Sequence, residues 1–279
     1  MSIPPLPLLS PERTSQGIAK ENGLLLEGPS PVLVCGSVSS ALDIAAQCDP
    51  LPVWGSVLAE SQTQGRGQLG RSWDSPPGNL YAALRLPEEA PMNGDAAAPA
   101  IGGMLAMILS EFGISIHVKW PNDLVLTLPK LNTFCKKVGG ILLEEKNGRL
   151  LMGLGLNIAS APDSSLLREK TALAAGCIPA SVVQSVQITC LTDLWLHIVG
   201  ALRQLMEDGI ARNWRYLAEA RLLGRGELAD ICDGPDEAPV VHGRILGLDD
   251  SGGIRINTGL GVRTCTSGSL LLQKREEEL

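Results

Sequence analysis

Two apolar runs joined by Asn-Gly occupy residues 138–158, which read VGGILLEEKNGRLLMGLGLNI. An Asn-Gly pair between apolar runs is typical of a β-hairpin, because both residues tolerate the positive φ of a tight turn. Glycines at positions 139, 140, 153 and 155 leave the middle of both runs without side chains. A ligand or another backbone can lie flat on such a surface. The stretch therefore predicts a hairpin with a bare, ligand-accessible centre.

A glycine-rich basic segment lies upstream at residues 62–73, which read QTQGRGQLGRSW. Glycine has no Cβ, so this loop can wrap its backbone round an anion, and its arginines add planar cations suited to carboxylate or phosphate. Lys137, two residues before the first glycine of the hairpin, would add a further cation facing the same space. A basic surface hairpin and a solvated lysine are the alternatives that these residues leave open.

A third segment combines a strand with a polar turn. Residues 114–120 alternate apolar and polar side chains, which is the period of a half-buried strand, and they end at Pro121-Asn122-Asp123. The turn would deliver an amide and a carboxylate at a strand end, where functional groups are common. Asp123 could hold Mg²⁺ through oxygen, or it could simply cap the backbone of the turn.

Local patterns elsewhere predict the supporting elements. Residues 31–35 are expected to form a buried strand and residues 39–48 a short helix behind it. Apolar positions at helical spacing predict one helix across residues 101–112 and another that starts near Thr192 and stops at Asp208-Gly209, with residues 210–220 forming a further helix. After residue 222 the pattern changes to short strands separated by turns, a β-meander.

The three segments, in this order, resemble the catalytic domain of biotin–protein ligases. The family's Gly-Arg-Gly loop, Lys-Trp-Pro-Asn-Asp turn, Lys-x-Gly-Gly-Ile strand and Gly-x-Gly-x-Asn strand correspond here to residues 65–67, 119–123, 137–141 and 153–157. The resemblance implies an α+β fold: a mixed β-sheet with helices on one side, of the class II synthetase-like type, followed by a small SH3-like barrel. The expected division is an irregular N-terminal arm at 1–29, a catalytic domain at 30–222 and the barrel at 223–279. An arm of this length implies the enzyme-only type, without an N-terminal winged helix-turn-helix.

The resemblance also implies a reaction in two steps. Biotin and ATP, with Mg²⁺, would give biotinyl-5′-AMP, and a lysine of a biotin carboxyl carrier domain of a carboxylase would then take the biotinyl group. The first step needs positioning and positive charge, not a side-chain nucleophile. The sequence contains no Gly-x-Ser-x-Gly elbow, and its three histidines are expected to be surface or structural residues.

Residue roles follow from the family pattern. The predicted catalytic residues are Lys137, which would pair with the carboxylate of biotin and then the α-phosphate, and Arg66, which would clamp that phosphate. Trp73 and Trp120 are candidates for apolar walls or for simple core. The residues predicted to contact biotin are Ser40, Ala41, Leu42, Gln62, Arg66, Gly67, Gln68, Lys137 and Gly140. Those predicted to contact ATP are Gly65, Arg66, Arg71, Trp73, Asn122, Lys137 and Asn157, with Asp123 as the Mg²⁺ ligand.

Three departures from the family pattern are visible. The family usually has Asp-Ser-Thr-Asn where residues 39–42 read Ser-Ser-Ala-Leu, so two polar contacts to biotin are expected to be missing. Gln68 replaces a common arginine, which should weaken retention of the adenylate. Residues 124–136 are longer than the usual connection and are interpreted as a surface loop extension.

Composition is consistent with a reducing, aqueous setting. A net charge of −7 without a basic patch argues against a nucleic-acid or anionic-membrane binder. Seven cysteines without a Cys-x-x-Cys spacing argue against a disulfide framework or a zinc site and favour the cytoplasm. The N-terminus lacks the charge and apolar core of a signal peptide, and no run has the length of a membrane span.

Two rival functions also fit these residues. A lipoate–protein ligase or related acyl transferase would share the catalytic fold, although the Lys-Trp-Pro-Asn-Asp turn and the C-terminal barrel favour the biotin enzyme. A non-catalytic biotin-binding protein would not require two cations such as Arg66 and Lys137. Homodimers are common in the family, but no residue marks an interface.

Overall fold

A nine-stranded sheet forms the larger part of the computed structural model, which describes residues 6–127, 135–162, 173–179, 188–233 and 238–273. Its strands follow the order β1-β2-β3-β4-β5-β9-β8-β7-β6, and neighbours are antiparallel except for the parallel pair β3–β4. The bounds are β1 Ile18–Lys20, β2 Gly23–Leu26, β3 Val32–Val38, β4 Ser56–Gln62, β5 Leu80–Arg85, β6 Ile116–Lys119, β7 Asp123–Thr127, β8 Cys135–Lys146 and β9 Arg149–Leu156.

The hairpin predicted from residues 138–158 is confirmed as β8–β9. Asn147 and Gly148 form its turn with φ of 52° and 66°, the left-handed values that the Asn-Gly pair tolerates. Gly140 pairs directly with Gly155, and Leu142 pairs with Gly153. Paired residues project to the same face of an antiparallel ladder, so these three glycines make one patch without side chains of its own, called here the glycine shelf. The patch is not bare as predicted, because Leu42 lies over Gly153 and Trp73 lies over Gly155.

Helices cover both faces of the large sheet. The long helices α3 (Ala97–Glu111) and α4 (Leu191–Glu207) pack on one face, as the two apolar stripes predict, and the chain continues into α5 (Trp214–Ala220). Trp195 of α4 is fully buried, and its indole N–H donates to Ser56 Oγ of β4 at 2.9 Å. The short helix α2 (Ala41–Gln47) packs on the opposite face through a separate apolar cluster, beside the glycine shelf.

Among the described helices, none is long and apolar enough to cross a membrane.

A second sheet of five antiparallel strands follows, which confirms the predicted C-terminal unit. It comprises β10 Leu228–Asp233, β11 Ala238–Leu248, β12 Ile254–Asn257, β13 Val262–Cys265 and β14 Ser269–Leu272, in the order β13-β12-β11-β10-β14. Trp120 is buried in its core, and the Trp120 indole N–H donates to the Gly252 carbonyl at 2.9 Å. The turn at residues 120–123 is therefore anchored to the small sheet. The predicted end of the catalytic domain at residue 222 stays a prediction. Leu222, its last residue, packs in the core of the small sheet.

The prediction of an irregular arm at residues 1–29 is wrong for the part that the structure describes. Helix α1 (Pro11–Gln16) is followed by β1 and β2, and β2 joins the large sheet by pairing with β3, Leu25 opposite Leu33. Arg13 holds α1 against α4 through a 2.8 Å contact to Asp193. Strands of three and four residues are too short to produce a recognisable period, so only their pairing reveals them.

The surface extension predicted at residues 124–136 is corrected at both ends. Leu124 and Val125 are fully buried within β7, and residues 135 and 136 begin β8. Residues 128–134 lie outside the described part of the chain. The apolar run Leu124–Leu126 continues the sheet instead of leaving it: Leu124 and Leu126 belong to the large core, and Val125 is fully buried.

Candidate active site

A cavity of about 880 Å³ lies over the glycine shelf and is walled by the three segments that the sequence singles out. It opens between α2, the glycine-rich loop, the turn at residues 120–123 and the β8–β9 hairpin, and Ser269 of the small sheet reaches its wall. Arg66 and Lys137 both line it, so the two predicted catalytic cations share one space. The predicted site residues on its wall are Ser40, Ala41, Leu42, Gln62, Arg66, Gly67, Gln68, Arg71, Trp73, Asn122, Asp123, Lys137, Gly140 and Asn157.

Gly65 is the predicted site residue that does not reach the cavity wall. A Cβ at Gly65 would stand 2.4 Å from the Trp73 carbonyl oxygen and 2.6 Å from Ser75 Oγ. The Trp73 N–H in turn donates to the Gly65 carbonyl at 2.8 Å. Glycine is required there for the close approach of the two arms of the loop, and its contact with ATP stays a prediction.

Lys137 is held in place from both sides of its strand. Its N–H donates to the Ala174 carbonyl at 2.9 Å, and its carbonyl accepts from Gly176 at 2.9 Å. On the other side β8 pairs with β7, where the register shifts between Leu124 and Val125. Such a bulge re-aims side chains and is common beside active sites. The Lys137 ammonium reaches 2.6 Å from Asp123 Oδ1 and lies 5.4 Å from the centre of the Trp73 ring.

Asp123 lies between two ammonium groups. Lys137 Nζ is 2.6 Å from one carboxylate oxygen and the buried Lys119 Nζ is 3.8 Å from the other. One negative and two positive charges leave a local excess of positive charge, which suits an anionic ligand. Lys119 was absent from the predicted site residues, although it begins the Lys-Trp-Pro-Asn-Asp turn.

The prediction that Asp123 ligates Mg²⁺ does not fit this geometry. A cation bound there would face both ammonium groups, and Coulomb repulsion would oppose it. Among the described residues, no group of three or more His, Cys, Asp or Glu side chains could hold a metal ion. Asp123 is better described as the group that orients Lys137.

Arg66 is tied into a network of four charges that the sequence did not predict. Its guanidinium donates to both Asp43 oxygens at 2.8 Å and lies 3.4 Å from Glu144 Oε2. Lys146 Nζ lies 2.9 Å from Asp43 and 2.9 Å from Glu144. The network joins the glycine-rich loop to α2 and to the β8–β9 hairpin. Arg66 would bind a phosphate with both terminal nitrogens by exchanging a carboxylate partner for it, because both of these nitrogens already donate to Asp43.

Acid should open this network. Hydrogen bonds from Arg66 and, less strongly, from Lys146 lower the pKa of Asp43 to about 2. An aspartate in an unfolded chain has a pKa of about 3.9, so the stabilising contribution is complete above about pH 4 and is lost as the pH falls towards 2. We expect the free energy of unfolding to drop across that window by about 1–2 kcal/mol more in the wild type than in Asp43→Asn, after allowing for solvent screening. Urea titrations at several pH values measure the difference, and parallel curves would contradict it.

Trp73 lies flat on the glycine shelf. A Cβ at Gly155 would stand 2.8 Å from two atoms of the Trp73 indole, and a Cβ at Gly140 would stand 3.4 Å from the ring. The indole Nε1 is buried and is the one such side-chain atom without a hydrogen-bond partner among the described residues. A buried donor without an acceptor costs roughly 1–3 kcal/mol, so the position favours a ligand that supplies one. Trp73 is thus a wall of the cavity, whereas Trp120 belongs mainly to the core of the small sheet.

The end of the cavity beside α2 holds four of the residues predicted to contact biotin: Ser40, Ala41, Leu42 and Gln62. The Gln62 side-chain oxygen accepts from the Ala41 N–H at 2.9 Å, and its amide nitrogen donates to Ser75 Oγ at 2.9 Å. Ser40 is buried and makes no capping hydrogen bond to α2. Leu42 lies over Gly153, where a Cβ would be 2.9 Å from the Leu42 Cδ1. This end is less polar than the cation-bearing end.

The histidines lie away from the cavity, and each contacts residues outside it. His117 contacts Thr127 Oγ1 at 3.1 Å, and burial lowers the pKa of its imidazole. His197 packs edge-on against Phe112, and His242 contacts Asp230 at 2.7 Å. None of the three lines the site.

Comparison with known proteins identifies relatives of this chain. A family model described as the biotin/lipoate A/B protein ligase family matches residues 46–158. The chain is 33% identical over 218 residues to the biotin–[acetyl-CoA-carboxylase] ligase of Paracoccus denitrificans, a match that covers 71% of this chain and 82% of that protein. It is 25% identical to the bifunctional ligase/repressor of Bacillus subtilis, covering 77% of this chain and 65% of the relative.

A solved structure has the same fold. The biotin protein ligase from Aquifex aeolicus in complex with biotin and ATP matches with a TM-score of 0.62 at 23% identity, covering 87% of this chain and 98% of that chain. The 33% identity over most of the length of the Paracoccus protein shows membership of the family as well as a shared fold. On these grounds the chain belongs to the biotin–protein ligase family of enzymes.

Proposed function

We propose that the protein is an ATP-dependent biotin–protein ligase. In the first step a carboxylate oxygen of biotin attacks the α-phosphorus of ATP, and the bond to pyrophosphate breaks to give biotinyl-5′-AMP. In the second step the neutral ε-amine of a carrier lysine attacks the acyl carbon, AMP leaves, and the amine proton is released. No covalent intermediate with this chain is needed, so positioning and charge carry the catalysis.

The observation that carries the proposal is the convergence of Lys137 and Arg66 on the wall of one cavity above the glycine shelf. Lys137 would pair with the carboxylate and then with the α-phosphate, bringing two anions together. Arg66 would stabilise the same phosphate after exchanging Asp43 or Glu144 for it. A purely biotin-binding protein would gain little from two cations at this place.

The remaining residues are proposed to divide between the two substrates. Trp73, Arg71, Asn122 and Asn157 would meet the nucleotide at the cation-bearing end. Asn122 also has a structural task, because its side-chain nitrogen donates to the Ile141 carbonyl at 2.8 Å. The biotin end would be formed by Ser40, Ala41, Leu42, Gln62, Gly67, Gln68 and Gly140.

The proposed co-substrate is ATP with Mg²⁺, and the proposed acceptor is the biotin carboxyl carrier domain of a carboxylase. Mg²⁺ would accompany the phosphates of the nucleotide, since Asp123 is unsuited to hold it. The seven cysteines are free thiols, and burial raises the pKa of Cys35 to about 11. Free thiols support a reducing compartment, and we place the reaction in the cytoplasm.

The test is direct. The purified protein is incubated with biotin, MgATP and a biotin carboxyl carrier domain, and the carrier is weighed by mass spectrometry. We expect a gain equal to one biotinyl group and release of pyrophosphate. If the protein binds biotin but releases no pyrophosphate and leaves the mass of the carrier unchanged, it is a biotin-binding protein and not a ligase.

A further inference from the structure

The wall of the cavity beside α2 is apolar at the positions that would meet the end of the acyl group farthest from its carboxylate. Ala41 and Leu42 are 2% and 5% exposed and belong to one apolar cluster with Leu142 packed against it. Leu42 lies across Gly153, so a leucine side chain covers this part of the shelf. All four residues line the cavity.

The polar groups of the same wall are already bonded to one another. The Ala41 N–H donates to Gln62 Oε1 at 2.9 Å, and Gln62 Nε2 donates to Ser75 Oγ at 2.9 Å. Ser75 Oγ donates onward to the Trp73 carbonyl at 3.0 Å. The chain of hydrogen bonds runs through protein atoms from α2 to the loop. Ser40 and Gln68 add side-chain polar groups that these hydrogen bonds do not include, and Gln62 keeps one further N–H and one further lone pair.

We propose that this cavity selects its acyl group mainly by shape, and that the enzyme also activates carboxylic acids whose distal end is apolar, such as lipoic and octanoic acid. The inference rests on the proposed function and deepens it. The ureido ring of biotin has two N–H donors and a carbonyl, each of which loses water when it enters this wall. Lipoic acid has the same pentanoate tail but ends in a dithiolane ring that needs no hydrogen-bond partner.

The expected selectivity follows from the kind of wall. A site built to hydrogen-bond its substrate rejects an analogue without those groups by about 10⁴–10⁵-fold, whereas an apolar pocket discriminates by only about 10–200-fold. The chemistry is unchanged: the carboxylate oxygen of either acid attacks the α-phosphorus of ATP and pyrophosphate leaves. The cation-bearing end treats both acids alike, because it meets only the carboxylate and the nucleotide.

The experiment compares kcat/KM for pyrophosphate release by the full chain with MgATP and biotin, lipoic acid or octanoic acid. We expect the preference for biotin over lipoic acid to be about 10²-fold or less. A preference of about 10⁴-fold or more would overturn the inference while leaving the ligase intact. Pyrophosphate with lipoic acid but none with biotin would overturn the proposed function and leave this inference standing. If no acid leads to pyrophosphate release, both the proposed function and this inference are overturned.

A matched pair of variants tests whether the wall beside α2 sets the preference between biotin and lipoic acid. Leu42→Asn adds an amide to the cavity, and we expect it to raise the biotin-to-lipoic acid ratio by about tenfold, the effect of one hydrogen bond. Ile44→Asn places the same amide on the same helix away from the cavity wall and should leave the ratio unchanged. If thermal melting finds Leu42→Asn unfolded, Ala41→Thr takes its place. An unchanged ratio in the folded variant would contradict the role given to this wall.

Discussion

Lys137→Ala should lose acyl-adenylate formation, with kcat for pyrophosphate release falling by about 10²–10³-fold or more. The ammonium is the cation held 2.6 Å from Asp123 and presented to the cavity. Without it, the carboxylate of the acid and the α-phosphate would have to approach each other with less compensation of their repulsion. Pyrophosphate release with saturating biotin and MgATP measures the loss.

Lys136→Ala is the matched control. Lys136 is the preceding residue of β8, carries the same charge, is exposed, and packs its side chain over Gly176 instead of lining the cavity. We expect near wild-type kcat for Lys136→Ala. Lys137→Ala should melt within a few degrees of the wild type, because a partly exposed ion pair contributes only about 1 kcal/mol. Equal rates for the two variants would remove Lys137 from the mechanism.

Gly155→Ala should displace Trp73 from the glycine shelf. The added Cβ would stand 2.8 Å from two indole atoms, a separation that forces the ring to move. The sheet blocks movement in one direction, so the indole would shift into the cavity. We expect biotin and ATP to bind about tenfold more weakly or worse, with a loss of about 1–3 kcal/mol in stability from overpacking. Isothermal titration and urea unfolding measure the two effects.

Two further glycines calibrate that result. Gly140→Ala puts the same methyl group on the paired strand, 3.4 Å from Trp73, and should disturb the indole less. Gly200→Ala in α4 meets nothing within 4 Å and should raise stability by about 0.5–1 kcal/mol. If Gly155→Ala binds both ligands as the wild type does, Trp73 is not a wall of the functional cavity.

The β8–β9 hairpin and the turn at residues 120–123 could be predicted because their causes are local. Asn147-Gly148 readily takes positive φ, and Pro121-Asn122-Asp123 ends a strand through its own backbone preferences. The apolar stripes of α3 and α4 are equally local, since helical spacing appears within a single segment. The motifs follow each other in the same order as in biotin–protein ligases. That resemblance predicted that these segments form one site.

The strands of the first 29 residues and the charge network could not be predicted in the same way. Strand β2 is only four residues long and is defined by its partner β3. Arg66 meets Asp43 and Glu144, which lie 23 and 78 positions away along the chain. No spacing rule connects residues at such separations, and the sequence suggested only a phosphate-binding Arg66 and a metal-binding Asp123.

Residue identity alone thus settled which groups were available: bare glycines, a turn that could close, and a few cations in a chain of net negative charge. Packing settled what those groups do. Because an ionic contact depends on the distance between atoms brought together from distant segments, only the folded chain assigned Asp43 to Arg66 and Asp123 to Lys137. The same packing laid Leu42 and Trp73 on the glycine shelf.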